Sequence, residues 1–173
     1  MSEPGSTREL VRDLMTVGVA TCPPDAPLAD VSRLLLDKRL EAVVVLNDEG
    51  HAVGVVSRDD LVRAYAGGNP HVLSAEDVMS DYVPEIPPDI PLAAAAQIMR
   101  DRKIRAVFLM HHAGGIEYPA AVLTYQHLLR HMAAQTEDDL KDMGIAAARQ
   151  APLEVFRQRR DAARRQARTH HEE

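Results

Sequence analysis

PPDAPLADVSRLL (residues 23–35) and PPDIPLAAAAQIM (residues 87–99) are one segment written twice. Each opens on paired prolines and an aspartate, meets a further proline at Pro27 or Pro91, and then spaces its apolar residues helically: Leu28, Val31, Leu34 and Leu35, or Leu92, Ala95, Ile98 and Met99. Apolar residues three and four apart share one helix face, and a proline tolerates only the start of a helix. The copies stand 64 residues apart (Pro23 to Pro87), and the offset holds on both sides: VRDLM at 11–15 matches AEDVM at 75–79, and LEAVVVL at 40–46 matches IRAVFLM at 104–110. Farther on it becomes 67 (Ser57 to Thr124), where GVVSRDDL at 54–61 matches AVLTYQHL at 121–128. The second copy therefore carries three extra residues (67 − 64), expected in or near the glycine-containing loop HHAGGIEYP at 111–119. A repeat of this kind decides the architecture before any other feature is weighed.

Each copy predicts the same series of elements. AVVVL and AVFLM are short and apolar throughout, as strands buried on both faces are. NDEG and HHAGG read as turns, AVGVVS and PAAVLT as return strands. A second helix starts at Ser57 or Thr124, both good N-caps, and is expected to carry Leu61, Val62 and Tyr65, or Leu128, Leu129 and Met132, inward. One such unit cannot cover its own sheet. The fold expected is α+β, two β-α-β-β-α repeats packed as a pseudo-twofold pair.

Composition bounds the rest. At 173 residues the chain holds one ordinary domain or two small ones sharing a core. It is 46% hydrophobic but only 3% aromatic, with no Trp, so Ala, Val and Leu must fill the interior. Cys22 is the only cysteine, which excludes an intrachain disulfide and points to the cytoplasm. The first twenty residues mix Glu3, Arg8, Glu9, Arg12 and Asp13 without an apolar block, unlike a signal peptide, and no apolar run reaches membrane-spanning length.

The series Asp-apolar-Met, P-x-x-P-L, helix, hairpin and G-h-h-(S/T)-x-x-D-L, met twice across residues 10–135, resembles the cystathionine-β-synthase (CBS) domain. Two in tandem resemble a Bateman module. Its boundaries here are a tail at 1–9, repeats at 10–68 and 74–135, and an arginine-rich helical extension at 136–173. Both copies depart from the family at one place: Val44 and Phe108 stand where its first hairpin strand usually has Pro.

The SRDD at 57–60 suits a nucleoside on its own chemistry. A hydroxyl at a helix N-cap and a carboxylate one turn later lie on one side of the first turn, where the carboxylate can accept from a ribose diol. Ser57 and Asp60 are therefore the ribose candidates; the plainer reading is a capped helix start with an acid in its first turn. The resemblance implies the remainder of each cleft. For the Asp60 cleft it implies Ser80, Tyr82, Val83, Pro84 and Ile86 around an adenine, and Arg105, with Lys103 and Arg58, toward phosphate. For the other cleft it implies Thr124, His127, Glu41 and Thr21. Glu41 would oppose a phosphate and a neutral His cannot chelate a diol, so this cleft reads as degraded.

The extension begins with TEDDLKDMG at 136–144, a short helix capped by Thr136, and a second helix is expected from Pro152. Residues 149–173 hold seven Arg against four acids, a net +3, which leaves −9 of the chain's −6 for residues 1–148. Arg157, Arg160, Arg164 and Arg168 form one helical stripe, either a solvated face or a docking arm. No aromatic interleaves it after Phe156, which argues against nucleic acid. The His pairs at 111–112 and 170–171 lack Cys or acidic partners at metal-ligand spacing, and no phosphate-binding GxxxxGK loop or nucleophile elbow is present. The expectation is a non-catalytic homodimer that needs no cofactor, binds AMP, ADP or ATP as a regulatory ligand, acts on an unknown partner protein and touches no membrane. The alternative is a ligand-free structural dimer whose basic C-terminal helix binds a partner or nucleic acid.

Overall fold

The computed structural model describes residues 9–145 and 147, so the arginine stripe lies outside the described residues. Its elements run β1 (Thr16–Val17), β2 (Thr21–Cys22), α1 (Leu28–Asp37), β3 (Ala42–Leu46), β4 (Ala52–Ser57), α2 (Arg58–Ala66), α3 (Ala75–Val78), α4 (Leu92–Asp101), β5 (Ala106–Ala113), β6 (Ile116–Thr124) and α5 (Tyr125–Ala133). Pro27 and Pro91 sit at the starts of α1 and α4 with φ of −58° and −60°, the angle their rings impose.

Two three-stranded sheets form, in the orders β2-β3-β4 and β1-β6-β5. The repeats exchange their leading segments. β1, from the first repeat, pairs antiparallel with β6 of the second, Thr16 opposite Val122. Its counterpart Ser80 makes an antiparallel bridge to Val55 in β4. The first amide of each long helix finds its acceptor on the same exchanged segments: Leu92 N–H donates to the Glu9 carbonyl at 2.9 Å, and Leu28 N–H to the Leu73 carbonyl at 3.1 Å. Burial follows suit, with Val11, Leu14 and Met15 in the second repeat's core among Ile86, Met99 and Leu123, and Ala75 in the first repeat's among Val31, Leu35 and Val43. Neither repeat closes its core alone, so the two must fold together.

The sheets meet through a third apolar cluster that holds Val44, Val55, Phe108 and Met110. Val44 and Phe108, the residues in place of the family's proline, are both fully buried there. As β-branched and aromatic residues they fill a sheet interface where a proline would have removed a donor. In this chain both donors are used: Val44 N–H goes to the Ala20 carbonyl at 3.2 Å and Phe108 N–H to the Pro84 carbonyl at 2.8 Å.

Two expectations are corrected. The extra residues of the second copy do not swell a loop; they lengthen the strands of the second hairpin, to eight and nine residues against five and six. The turn tightens to Gly114-Gly115, both at positive φ, as a two-residue hairpin turn requires. The second helices do not carry Val62, Tyr65, Leu129 and Met132 inward: all four are exposed, Tyr65 and Met132 by 75% and 79%. In α2 the Ser57 cap fixes the rotation so that Asp60 and Ala64, one turn apart, form the buried face. Past residue 135 the chain stays packed on the body. Past a 3₁₀ turn at Glu137–Leu140, Met143 is buried in the second repeat's core, and Gly144 packs on the backbone of Asp13 at φ +87°, where a Cβ would overlap the Asp13 carbonyl.

Candidate functional site

β4 ends at Ser57, which caps α2, so the helix's first turn stands at the seam between the repeats; its amides find acceptors there, Arg58 N–H the Glu41 carbonyl at 3.1 Å and Asp60 N–H the Ser57 Oγ at 3.3 Å. Ser57 Oγ donates to Asp60 Oδ2 at 2.6 Å and Ser57 N–H donates to the same oxygen at 2.8 Å. Oδ1 accepts from Arg63 Nη1 at 3.0 Å. Asp60 is thus a buried carboxylate with one oxygen pinned to the helix cap and the other held by a guanidinium.

The second repeat supplies the facing wall. Ser80 exchanges two backbone hydrogen bonds with Val55, at 3.0 and 3.1 Å, and this close approach needs Gly54, where a Cβ would lie 2.5 Å from the Ser80 carbonyl oxygen. Between the walls is a cleft of about 210 Å³. Eight residues singled out in the sequence line it: Ser57, Arg58, Asp60, Ser80, Tyr82, Pro84, Lys103 and Arg105. Tyr82 is exposed, its hydroxyl accepting from Arg102 at 3.2 Å. Arg58 donates through Nε to the Leu40 carbonyl at 2.7 Å, and Arg105 stands 3.7 Å from Asp59. Lys103 has φ +56°, but Arg39 at the same point of the first repeat has +54°; the left-handed residue ends both long helices and is no mark of the site.

Two expected residues are elsewhere. Ile86 is buried in the second repeat's core and Val83 packs in the inter-sheet cluster, so neither lines the cleft. Two unforeseen charged residues also line it, Asp59 and Arg63, together with Glu41, which was expected in the other cleft. Arg63 was legible in principle, since a residue three positions after a helical aspartate is its neighbour.

The second set does not assemble as expected. Glu41 lines the Asp60 cleft, and Thr21 borders a separate hollow with Asp25, Asp30 and Leu34. Thr124 and His127 do come together, joined by Thr16, the counterpart of Ser80. His127 Nδ1 accepts from the Thr124 N–H at 2.9 Å, so Nδ1 carries no proton and the ring, when neutral, bears it on Nε2. Nε2 then donates to Thr16 Oγ1, 2.8 Å away. Burial first, and then the nearby Arg130 cation, lower the His127 pKa from its ordinary value and favour this neutral ring. The imidazole thus spans positions whose counterparts in the first cleft, Asp60 and Ser80, no side-chain hydrogen bond joins among the described residues.

The histidine pair at 111–112 serves the long hairpin: the His111 ring packs against Tyr118 with centroids 5.1 Å apart and planes tilted by 55°, and His112 lies 3.1 Å from Glu117 and 3.5 Å from Glu85. Among the described residues no three His, Cys, Asp or Glu are placed to hold a metal, and no helix is long and apolar enough to cross a membrane.

Comparison with known proteins bears on the family and the fold. Uncharacterized protein MJ1426 of Methanocaldococcus jannaschii is 37% identical over 54 residues, 31% of this chain and 32% of its own length. Uncharacterized protein MK0525 of Methanopyrus kandleri is 24% identical over 128 residues, 71% of this chain and 64% of its own. The chain therefore spans about a third of the first relative and under two thirds of the second. The crystal structure of the CBS domain pair of protein MJ0100, in complex with 5-methylthioadenosine and S-adenosyl-L-methionine, shares the fold with a TM-score of 0.64 at 18% identity, over 74% of this chain and 98% of that one. Residues 11–67 and 75–134 each match the CBS domain, and with both repeats so matched the chain belongs to the CBS domain family as a tandem pair.

Proposed function

We propose that this CBS pair is a non-catalytic regulatory module that binds one adenosine-containing ligand per chain in the Asp60 cleft and signals its presence to a partner protein. The observation that carries the reading is the convergence, from both repeats, of a buried carboxylate, the exposed ring of Tyr82 beside Pro84, and four cations on one cleft. Asp60 serves the ribose and Tyr82 the adenine; Lys103 and Arg105, on the opposite wall, meet a phosphate. Against Arg58, Arg63, Lys103 and Arg105 stand Glu41, Asp59 and Asp60, a balance of +1 (four minus three) that favours an adenine nucleotide, AMP, ADP or ATP, over a cationic sulfonium ligand. MJ0100, with its two adenosine-containing ligands, supports the nucleoside half of the reading. The module works in the cytoplasm as a homodimer, with the exposed apolar faces of α2 and α5 against a second copy.

Titration calorimetry with AMP, ATP and S-adenosylmethionine tests this. One nucleotide binds per chain, and Asp60→Ala weakens it by about ten- to a hundredfold, the worth of a charged hydrogen-bond partner. Two equal sites in the unaltered protein, or full affinity in Asp60→Ala, would overturn the assignment of the working cleft.

A further inference from the structure

Asp60 and Arg63 form an ion pair whose members are held very differently. The carboxylate is 7% exposed and bonded to the helix cap, whereas the arginine side chain is 74% exposed and lines the same cleft. Oδ2 already accepts both the N–H and the hydroxyl of Ser57, which fills its two lone-pair directions. Oδ1 keeps two such directions, and Arg63 takes one of them. Beside Arg63, Oδ1 accepts one hydroxyl of a ribose; it accepts both only when the guanidinium withdraws. Arginine is the partner that can leave: its side chain is largely exposed, so water can take over its donors when it withdraws, whereas the buried carboxylate is fixed to the helix cap.

We propose that Arg63 is a specificity gate on the Asp60 cleft: a ribose diol binds by displacing the guanidinium from Asp60 Oδ1, and the displaced cation then sides with a ligand that carries an anionic group. The inference rests on the adenosine-site reading above and names the residue that sets the ligand's charge. The chain contains its own comparison. Arg130 occupies the matching place in the second repeat, 67 residues on, but there the residue one turn earlier is His127; among the described residues Arg130 pairs with no carboxylate, and its charge disfavours protonation of the imidazole.

Calorimetry with adenosine, 2′-deoxyadenosine and AMP, on the unaltered protein and on Arg63→Met, tests the gate. Methionine keeps the apolar stem and removes the cation. Adenosine should bind the variant about threefold more tightly, because a weak ion pair no longer competes for Oδ1. AMP should bind about tenfold less tightly, through loss of a charge-assisted hydrogen bond. 2′-Deoxyadenosine, which lacks the diol, should not change. An unchanged preference for AMP over adenosine overturns the gate and leaves the site standing, and so does an equal gain for 2′-deoxyadenosine. If the unaltered protein binds none of the three, the site reading itself falls and takes the gate with it.

Discussion

Protonation of His127 is the perturbation for which the structure gives the clearest sign. The ring caps α5 as an acceptor, through Nδ1, and an imidazolium has no acceptor. Protonation therefore leaves the Thr124 N–H facing another N–H and breaks the cap, at a cost of roughly 1–3 kcal/mol for a half-buried donor left unsatisfied. Its folded pKa lies below the ordinary value, chiefly through burial. For a base lowered in this way the contribution to stability is complete above the unfolded value of about 6.5, and is lost as pH falls from there toward the folded value, because the unfolded chain binds the proton first. The chain has eight histidines, so the total pH dependence is not diagnostic. The diagnostic quantity is the difference from His127→Asp, which places in the second repeat the acid that caps α2 in the first. Urea denaturation at about pH 7.5 and about pH 5.5 should show the parent losing on the order of 1 kcal/mol more than the variant. Ring nitrogen chemical shifts should report an Nε2–H tautomer at the higher pH. Equal losses in parent and variant, or an Nδ1–H ring, would refute the reasoning.

Light scattering should give a particle of twice the 19.0 kDa chain, and Tyr65→Glu combined with Met132→Glu should halve it, since each buries a charge in the proposed contact of α2 and α5; a parent that is monomeric at micromolar concentration sinks this reading. Gly144→Ala should destabilise the protein by about 1–3 kcal/mol in chemical denaturation, because it combines a left-handed backbone with a Cβ overlapping the Asp13 carbonyl. A variant of unchanged stability would mean that residues 136–145 do not dock on the body.

Much of this fold is legible in the sequence because the repeat states each element twice. PPDxPL marks the start of both long helices, and the runs at 42–46 and 106–110 form strands buried as expected. The exchange of leading segments is not legible: VRDLM and AEDVM announce an apolar turn but not which core receives it, and only the packing shows Met15 lying with Met99 and Leu123. The depth of Ile86 is hidden for a like reason. Pro84 and Ile86, two residues apart, are both buried, and a segment too short to show a helical or strand period gives no means of telling that one lines the cleft and the other joins the core.

Glu41 exposes a different limit. Assigning each residue of a repeat to one of two clefts assumes that a position and its counterpart lie apart. That holds for Ser57, which lines the first cleft, and Thr124, which does not, and fails near the pseudo-twofold axis, where a residue and its copy become neighbours. Glu41 and Arg105 are such copies, 64 residues apart, and both line the one cleft, as do Ala42 and Ala106. Three residues farther along, Val44 and Phe108 share one apolar cluster for the same reason. A charged residue at an axial position is set near its own repeat image, and two identical charges there would repel across the site. The chain carries Glu in one copy and Arg in the other. Seen as a spoiled phosphate contact, Glu41 is a defect of the second cleft; seen across the axis, it sets a negative charge on the same cleft as Arg105.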